Sequence, residues 1–148
     1  MERLNMFVSI ILCTHRSERY EDFVEALDSL NAQSCENEKL EIVVVVDGNR
    51  ELYDKILKIG IEEADKVTGK VKVILNEINV GLSESRNRGI KEAKGDIIAF
   101  FDDDAVADEN WVEELLKVYK ERDAIAAGGE LLPKWASKRP KRILIYSS

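Results

Sequence analysis

The chain of 148 residues has little of several features that mark other functional classes. Its two cysteines, Cys13 and Cys35, follow no Cys-x-x-Cys or Cys/His metal spacing, and two thiols do not make a disulfide framework. Acidic residues outnumber basic ones. The resulting net charge of −7 argues against a nucleic-acid partner, because proteins that bind nucleic acid carry a basic face. We therefore expect a protein of a reducing, cytoplasmic setting that binds no nucleic acid.

Long apolar runs and phosphate-loop motifs are also missing. No apolar stretch approaches the ~20 residues of a transmembrane helix, and the start Met1–Asn5 lacks the long apolar segment of a signal peptide. Neither GxxxxGK(S/T) nor GxGxxG occurs, which weakens interpretations as a kinase, a GTPase or a dinucleotide-binding protein. These absences predict a soluble chain that binds any phosphate through a metal ion or local cations.

The sequence does contain a regular alternation of apolar runs and amphipathic stretches, and its length suits one domain. The predicted strands are Met6–Cys13, Glu41–Val46, Val71–Leu75, Asp96–Phe101 and Ala124–Ala127. The predicted helices are Glu18–Gln33, Glu51–Lys66, Ser83–Lys94 and Glu109–Glu121, with Ser83 and Asp108 as N-caps of the last two. Continuous Val/Ile runs indicate strands covered on both faces, so we predict a three-layer α/β/α fold with a mainly parallel sheet.

Three consecutive aspartates, Asp102, Asp103 and Asp104, follow the apolar run that ends at Phe101. Ligands of open α/β sheets bind at the carboxyl ends of the strands. Crowded carboxylates repel one another unless a cation lies between them, and carboxylate oxygens suit Mg2+ or Mn2+. We predict a metal site here; the alternative is an acidic loop that only caps the next helix.

Two other predicted strands also end in polar residues. Asp47 accepts hydrogen bonds without donating them, which suits the N–H of uracil or guanine, although it is equally a common turn residue beside Gly48. The string Cys13–Arg16 ends the first strand and supplies a hydroxyl, an imidazole and a guanidinium. The stretch Asn79–Asn87 adds Arg86 and several hydroxyls. Parallel strands would bring these groups to one edge.

These strings together resemble the inverting GT-A glycosyltransferases of family 2. The opening strand of that family is VSIIIPTYNR-like, and its later strings read SL..Q, EIIVVDDGS, N.G...ARN.G and G.yi.flD.D. The matching strings here are Val8–Arg16, Ser29–Gln33, Glu41–Gly48, Asn79–Ile90 and Gly95–Asp104. Five motifs in order are more specific than any one of them, so the chain is identified as a member of that family.

The resemblance implies a GT-A nucleotide-diphospho-sugar transferase fold and a set of site residues. The donor-binding residues would be Cys13, Thr14, His15, Arg16, Asp47, Gly81, Arg86 and Asp103. Asp102 and Asp104 would hold Mn2+ or Mg2+ as the DxD acids, and Asp103 would contact the ribose. The family transfers a sugar to an acceptor hydroxyl with inversion, and a carboxylate base removes the hydroxyl proton.

The resemblance also has gaps. Cys13–Arg16 stands where the family has Pro-Thr-Tyr-Asn, and one aspartate stands at Asp47 where two are common, so both UDP and GDP fit, with UDP-sugar our first choice and GDP-sugar our second. The catalytic base and the acceptor half are expected further along than this chain extends, and Glu130 is a poor candidate for the base. Residues 1–133 are therefore predicted to be a donor-binding half domain.

We predict that residues 134–148 are a basic tail or the start of the acceptor half, and we keep open a peripheral contact with an anionic membrane surface. The acceptor, whether glycan, lipid-linked or protein, is left open. An uncovered sheet edge predicts a homodimer or poor solubility, and the missing acceptor half leaves a separate acceptor-binding chain possible. Two other functions remain as alternatives. One is a non-catalytic nucleotide- and metal-binding module or split-enzyme partner; the other is a haloacid-dehalogenase-like phosphatase, whose D-x-D-x-(T/V) string Asp102–Val106 matches.

Overall fold

A computed structural model describes residues 6–35, 40–64, 70–123, 125–130 and 132. The strands are β1 (Val8–Thr14), β2 (Leu40–Asp47), β3 (Lys70–Asn76) and β4 (Ile97–Asp102). The helices are α1 (Tyr20–Asn31), α2 (Arg50–Ala64), α3 (Leu82–Glu92) and α4 (Trp111–Glu121), and a 3-10 turn (Ser17–Arg19) precedes α1. Strands and helices alternate along the chain, as the apolar pattern predicts.

The four strands form one parallel sheet in the order β3-β2-β1-β4. In the register of this sheet Cys13 lies opposite both Val45 of β2 and Asp102 of β4, and Asp47 lies opposite Asn76 of β3. Because all four strands run the same way, the residues that follow them collect along one edge. The parallel sheet and its α/β class are therefore confirmed.

The sheet lies between two helical layers. Side chains of β1 and β2 alternate between its faces: Ile10 and Leu12 belong to the larger buried cluster, which includes side chains of α1, α2 and α4. Ile11 belongs to the smaller cluster on the opposite face, where α3 packs so closely that a Cβ on Gly89 would lie 2.6 Å from Ile11 Cγ2. All eight residues of β2 are buried, which explains why Ile42–Val46 are apolar without a break.

One predicted strand and two predicted caps are wrong. Residues 125–127 form no strand, Ile125 is fully exposed, and Ala124 lies outside the described residues; so short an apolar run carries too little pattern to identify a strand. Helix α3 begins at Leu82 with Gly81 as its N-cap, so Ser83 lies inside the first turn. Helix α4 has Asn110 as its N-cap, while Asp108 closes the preceding turn by accepting the N–H of Asn110 at 2.9 Å.

Strand β4 forms the edge of the sheet next to β1, and its Phe100 side chain is 45% exposed. The dimer expected from such an edge stays a prediction. Among the described residues no helix is long and apolar enough to span a bilayer. The predicted basic tail, residues 134–148, lies outside them.

We predict that Gly95→Ala destabilises the fold by about 1–3 kcal/mol, because a side chain there overpacks the start of β4. A Cβ on Gly95 would lie 2.6 Å from Ser9 N and 2.7 Å from Phe7 O, and both are backbone atoms that cannot rotate away. Urea unfolding measures the effect. Gly128→Ala is the matched control, since no atom lies within 4 Å of its added Cβ. Equal midpoints for the two variants would contradict this packing.

Candidate functional site

A cavity of ≈ 460 Å³ opens at the carboxyl edge of the sheet, between the ends of β1, β2 and β4 and the start of α3. The predicted site residues that line it are Cys13, Thr14, His15, Asp47, Gly81, Arg86, Asp102, Asp103 and Asp104. Arg16 is the exception: it is exposed outside the lining, and its Nε donates to His15 Nε2 at 3.2 Å. The structure thus brings nine of the ten predicted residues to one cavity.

Asp47 lies at the base of this cavity and is 6% exposed. Its Oδ1 accepts hydrogen bonds from Val80 N at 2.9 Å and from Asn76 Nδ2 at 3.0 Å, and its Oδ2 accepts one from Gly81 N at 2.8 Å. Burial raises the pKa of Asp47, but these hydrogen bonds to Val80, Asn76 and Gly81 outweigh it, so the pKa is lowered. The ionised carboxylate therefore fixes the loop that leads into α3.

The loop at residues 79–81 reaches Asp47 because two glycines permit a close approach of the backbone and a positive φ. Gly81 has φ 91, which favours glycine, and it places the first turn of α3 beside the cavity. Gly48 has φ 67, and a Cβ there would lie 2.5 Å from Asn79 N. Asp47 and Gly48 therefore support the loop at 79–81 in addition to forming their own turn.

A buried polar network extends from Asp47 into α3. Asn76 Nδ2 donates to Asp47 Oδ1 and to Ser85 Oγ, each at 3.0 Å, while Arg88 Nη1 donates to Asn76 Oδ1 at 2.7 Å. Asn76 is 5% exposed and Ser85 is fully buried. Buried polar groups stabilise a structure only when they are paired, so this network links the ends of β2 and β3 to α3.

The three aspartates after β4 have different surroundings. Asp103 is the most enclosed, with a side chain 12% exposed, and its Oδ2 accepts the hydroxyl of Thr14 at 2.8 Å. The side chains of Asp102 and Asp104 are 65% and 51% exposed. Asp103 is therefore tied to the end of β1, while its two neighbours are exposed at the cavity.

Two guanidinium groups form ion pairs with these aspartates. Arg86 Nη2 lies 3.5 Å from Asp102 Oδ1, and its Cζ lies 5.0 Å from the centroid of the Phe100 ring. Arg19 Nη1 lies 3.4 Å from Asp103 Oδ1 and 3.2 Å from Asp104 Oδ2. The cavity thus presents acids and arginines together, which suits a ligand that carries both a cation and phosphate groups.

Cys13 also lines the cavity but is not poised for nucleophilic chemistry. Burial raises the pKa of its thiol to about 11; Arg86 opposes this, and the carboxylate of Asp47 reinforces it. A thiol with so high a pKa stays protonated at neutral pH and is a weak nucleophile. We therefore assign it no covalent step.

The acids fit a hard cation by chemistry, although the described residues hold no preformed cluster of three or more His, Cys, Asp or Glu side chains for a metal ion. Asp102 and Asp104 offer exposed carboxylate oxygens beside the cavity. Mg2+ and Mn2+ commonly take one or two carboxylates and complete their coordination with water and substrate phosphates, so a protein cage is unnecessary. Asp102 and Asp104 are the residues that would hold such an ion.

Among the residues that form polar contacts at the site, the sequence alone did not predict Arg19, Asn76 and Ser85. Asn76 carried a usable signal, because it ends an apolar strand in the same way as Asp47. Ser85 lies in the hydroxyl-rich stretch already singled out. Arg19 carried no signal, since nothing local distinguishes it from the other charged residues at the start of α1.

The family model for glycosyl transferase family 2 matches residues 9–143 of the chain. A curated relative, the glucosyl-dolichyl phosphate glucuronosyltransferase of Haloferax volcanii, is 39% identical over 137 residues, which are 92% of this chain and 42% of that protein. The chain thus spans less than half the length of this relative. The sequence motifs and an independent family match point to the same family.

Solved structures give the same fold. S. aureus TarS in complex with UDP superimposes with a TM-score of 0.66 at 27% identity, over 87% of this chain and 38% of that one. The mannosyltransferase PcManGT of Pyrobaculum calidifontis, in complex with GDP-Man and Mn2+, gives 0.69 at 20% identity, over 77% and 32% of the two chains. At that lower identity the second likeness concerns the fold alone.

We predict that Asp47→Asn lowers the free energy of unfolding by about 1–3 kcal/mol at pH 7, because an amide cannot accept all three hydrogen bonds. The folded-state pKa of Asp47 is lowered. Its stabilisation is therefore complete above the ordinary aspartate pKa of about 3.9 and is lost as the pH falls through the folded-state value. Urea unfolding of both proteins from pH 7 to pH 3 measures the difference.

The control for this experiment is Asp28→Asn, which makes the same change at an exposed position on α1. Its effect should be small at every pH. A wild-type advantage over Asp47→Asn that is absent at pH 7, or that stays constant down to pH 3, would contradict the assigned role of Asp47.

Proposed function

The chain belongs to glycosyl transferase family 2, and from that premise we propose that its cavity binds a nucleotide-diphospho-sugar donor. The observation that carries the proposal is the juxtaposition in one cavity of Asp102–Asp104, Arg86, Thr14 and Asp47. We propose further that the donor half formed by these residues serves transfer of the sugar to an acceptor hydroxyl with inversion. Family membership also leaves the phosphatase alternative without support.

The base of the nucleotide is proposed to lie against the residues at the ends of β1 and β2. Asp47 Oδ2 accepts one hydrogen bond in the structure, from Gly81 N, and a carboxylate oxygen can accept two. This spare capacity suits the imide N–H of uracil or the N1–H of guanine. We therefore keep a UDP-sugar as the first choice and a GDP-sugar as the second, with Cys13 and His15 on the adjoining wall.

The diphosphate is proposed to lie toward β4. Asp102 and Asp104 would hold Mn2+ or Mg2+, and Asp103, held by Thr14, would contact the ribose. A divalent cation supplies charge neutralisation for the departing nucleoside diphosphate. Arg86, kept over the Phe100 ring, adds a fixed positive charge on the same side. We propose that Arg16 acts through His15, because its guanidinium donates a hydrogen bond to the imidazole ring.

The proton of the acceptor hydroxyl requires a base that the lining of this cavity does not supply. The acids that line it are Asp47 and Asp102–Asp104, and each already accepts a hydrogen bond or forms an ion pair. Glu130 is exposed and is not part of the lining. We therefore propose that the catalytic base, and with it the acceptor site, lies beyond the residues that the structure describes.

Isothermal titration with UDP and with GDP, each with and without Mn2+, tests donor binding. We predict that one of the two binds with Mn2+ present, and that omitting the metal or introducing Asp102→Asn or Asp104→Asn weakens binding by about tenfold or more. Asp28→Asn, an exposed aspartate on α1, is the matched control and should bind like wild type.

Two results would contradict the proposal. One is that a folded wild-type chain, verified by circular dichroism, binds neither nucleotide in the presence of Mn2+. The other is that the two variants bind as well as wild type, which would make the acids structural. Binding without turnover, by contrast, fits a donor half that needs an acceptor half.

A further inference from the structure

Arg19 is the one cation of the cavity that the resemblance does not account for. It lies in the 3-10 turn Ser17–Arg19 and lines the cavity, where its Nη1 stands between Asp103 Oδ1 at 3.4 Å and Asp104 Oδ2 at 3.2 Å. Its side chain is 41% exposed. A guanidinium between two carboxylates occupies space that a cation bound to those carboxylates would also claim.

The two arginines of the cavity are held differently. Arg86 is placed over the Phe100 ring at 5.0 Å, which keeps its guanidinium beside Asp102. Asp103 has a second partner in the Thr14 hydroxyl at 2.8 Å, so it can lose Arg19 and remain in place. Asp103 and Asp104 can therefore exchange Arg19 for another cation.

Charge favours such an exchange. The three carboxylates and two guanidinium groups leave one net negative charge at this end of the cavity. A divalent cation would reverse the sign and repel Arg19 from Asp104, while a diphosphate would offer the guanidinium a new anionic partner. Arginine suits that partner because its planar fork binds phosphate oxygens in pairs.

We propose that Arg19 is a donor-positioning residue that exchanges partners: it neutralises Asp103 and Asp104 in the donor-free site and pairs with the diphosphate of the donor once a divalent cation takes Asp104. The inference rests on the proposed function and adds to it a residue and an order of events. Arg19 then competes with the metal ion for Asp104 and helps to bind the diphosphate.

The test compares wild type with Arg19→Gln in two titrations. The first follows binding of Mn2+ alone by the loss of its free-ion electron paramagnetic resonance signal. The second follows UDP, or GDP if wild type binds only that, by calorimetry in saturating Mn2+. We predict that Arg19→Gln binds Mn2+ about three- to tenfold more tightly and the nucleoside diphosphate about tenfold more weakly. Binding of the parent nucleoside should not change, since it carries no phosphate.

Two further variants complete the design. Arg50→Gln removes an exposed guanidinium that pairs with Glu77 outside the cavity lining, and it should leave both affinities unchanged. Arg19→Lys keeps the charge but loses the fork, so we expect Mn2+ affinity close to that of wild type and intermediate affinity for the nucleoside diphosphate. It also keeps the test decisive if Arg19→Gln fails to fold.

The opposite signs of the two effects separate exchange from a purely structural role. If Arg19→Gln weakens Mn2+ and nucleotide together, leaves both unchanged, or weakens the nucleoside as much as the diphosphate, the exchange is overturned. If wild type binds neither nucleotide with Mn2+, the proposed function fails and the exchange with it. If wild type binds a nucleotide with Mn2+ and Arg19→Gln does not alter the binding of Mn2+ or of the nucleotide, the exchange is overturned while the proposed function stands.

Discussion

The parallel pairing of the four strands is the constraint on which the site depends. Cys13 of β1 is level with Asp102 of β4, and Asp47 of β2 is level with Asn76 of β3, so residues from four distant parts of the chain end at one edge. A shift of one residue in any strand would turn its side chains to the opposite face and bury the wrong groups. A shift of β2 would also separate the Glu41 carboxylate from the Ser9 hydroxyl and the Lys94 N–H, which both donate to it.

Aspartates at this edge take different roles because their surroundings differ. Asp47 is buried and accepts three hydrogen bonds, so its main contacts are with the protein itself, where it holds the loop before α3. Asp102 and Asp104 are more than half exposed, and each forms an ion pair with one guanidinium group, so their remaining carboxylate oxygens stay accessible. Asp103 lies between these extremes, tied to Thr14. Burial and partners, rather than residue type, separate the acid that holds a loop from the acids that stay exposed at the cavity.

Apolar runs predicted the four strands and the layered fold because buried parallel strands require unbroken Val/Ile sequences, as in β2. The strand-end rule then located the cavity, since parallel strands bring Thr14, Asp47 and Asp102 together without knowledge of their contacts. Local reasoning failed where distant groups intervene. Ser83 is not the N-cap of α3 because Asp47 binds the N–H groups of the preceding loop, and the turn therefore forms earlier. Arg19 was missed because its partners lie 84 and 85 residues away.

The proposed function requires that a metal ion and a nucleotide bind together at the carboxyl edge of the sheet. Amide NMR spectra recorded with UDP and Mn2+, referenced to UDP and Mg2+, test it directly, because Mn2+ broadens nearby signals. We predict the strongest broadening for Thr14, Gly81 and Asp102–Asp104, and much weaker broadening for Val8 and Ile97, about 15–20 Å away along their strands. Broadening centred on the opposite ends of the strands, or none in a sample that binds UDP, would contradict the account.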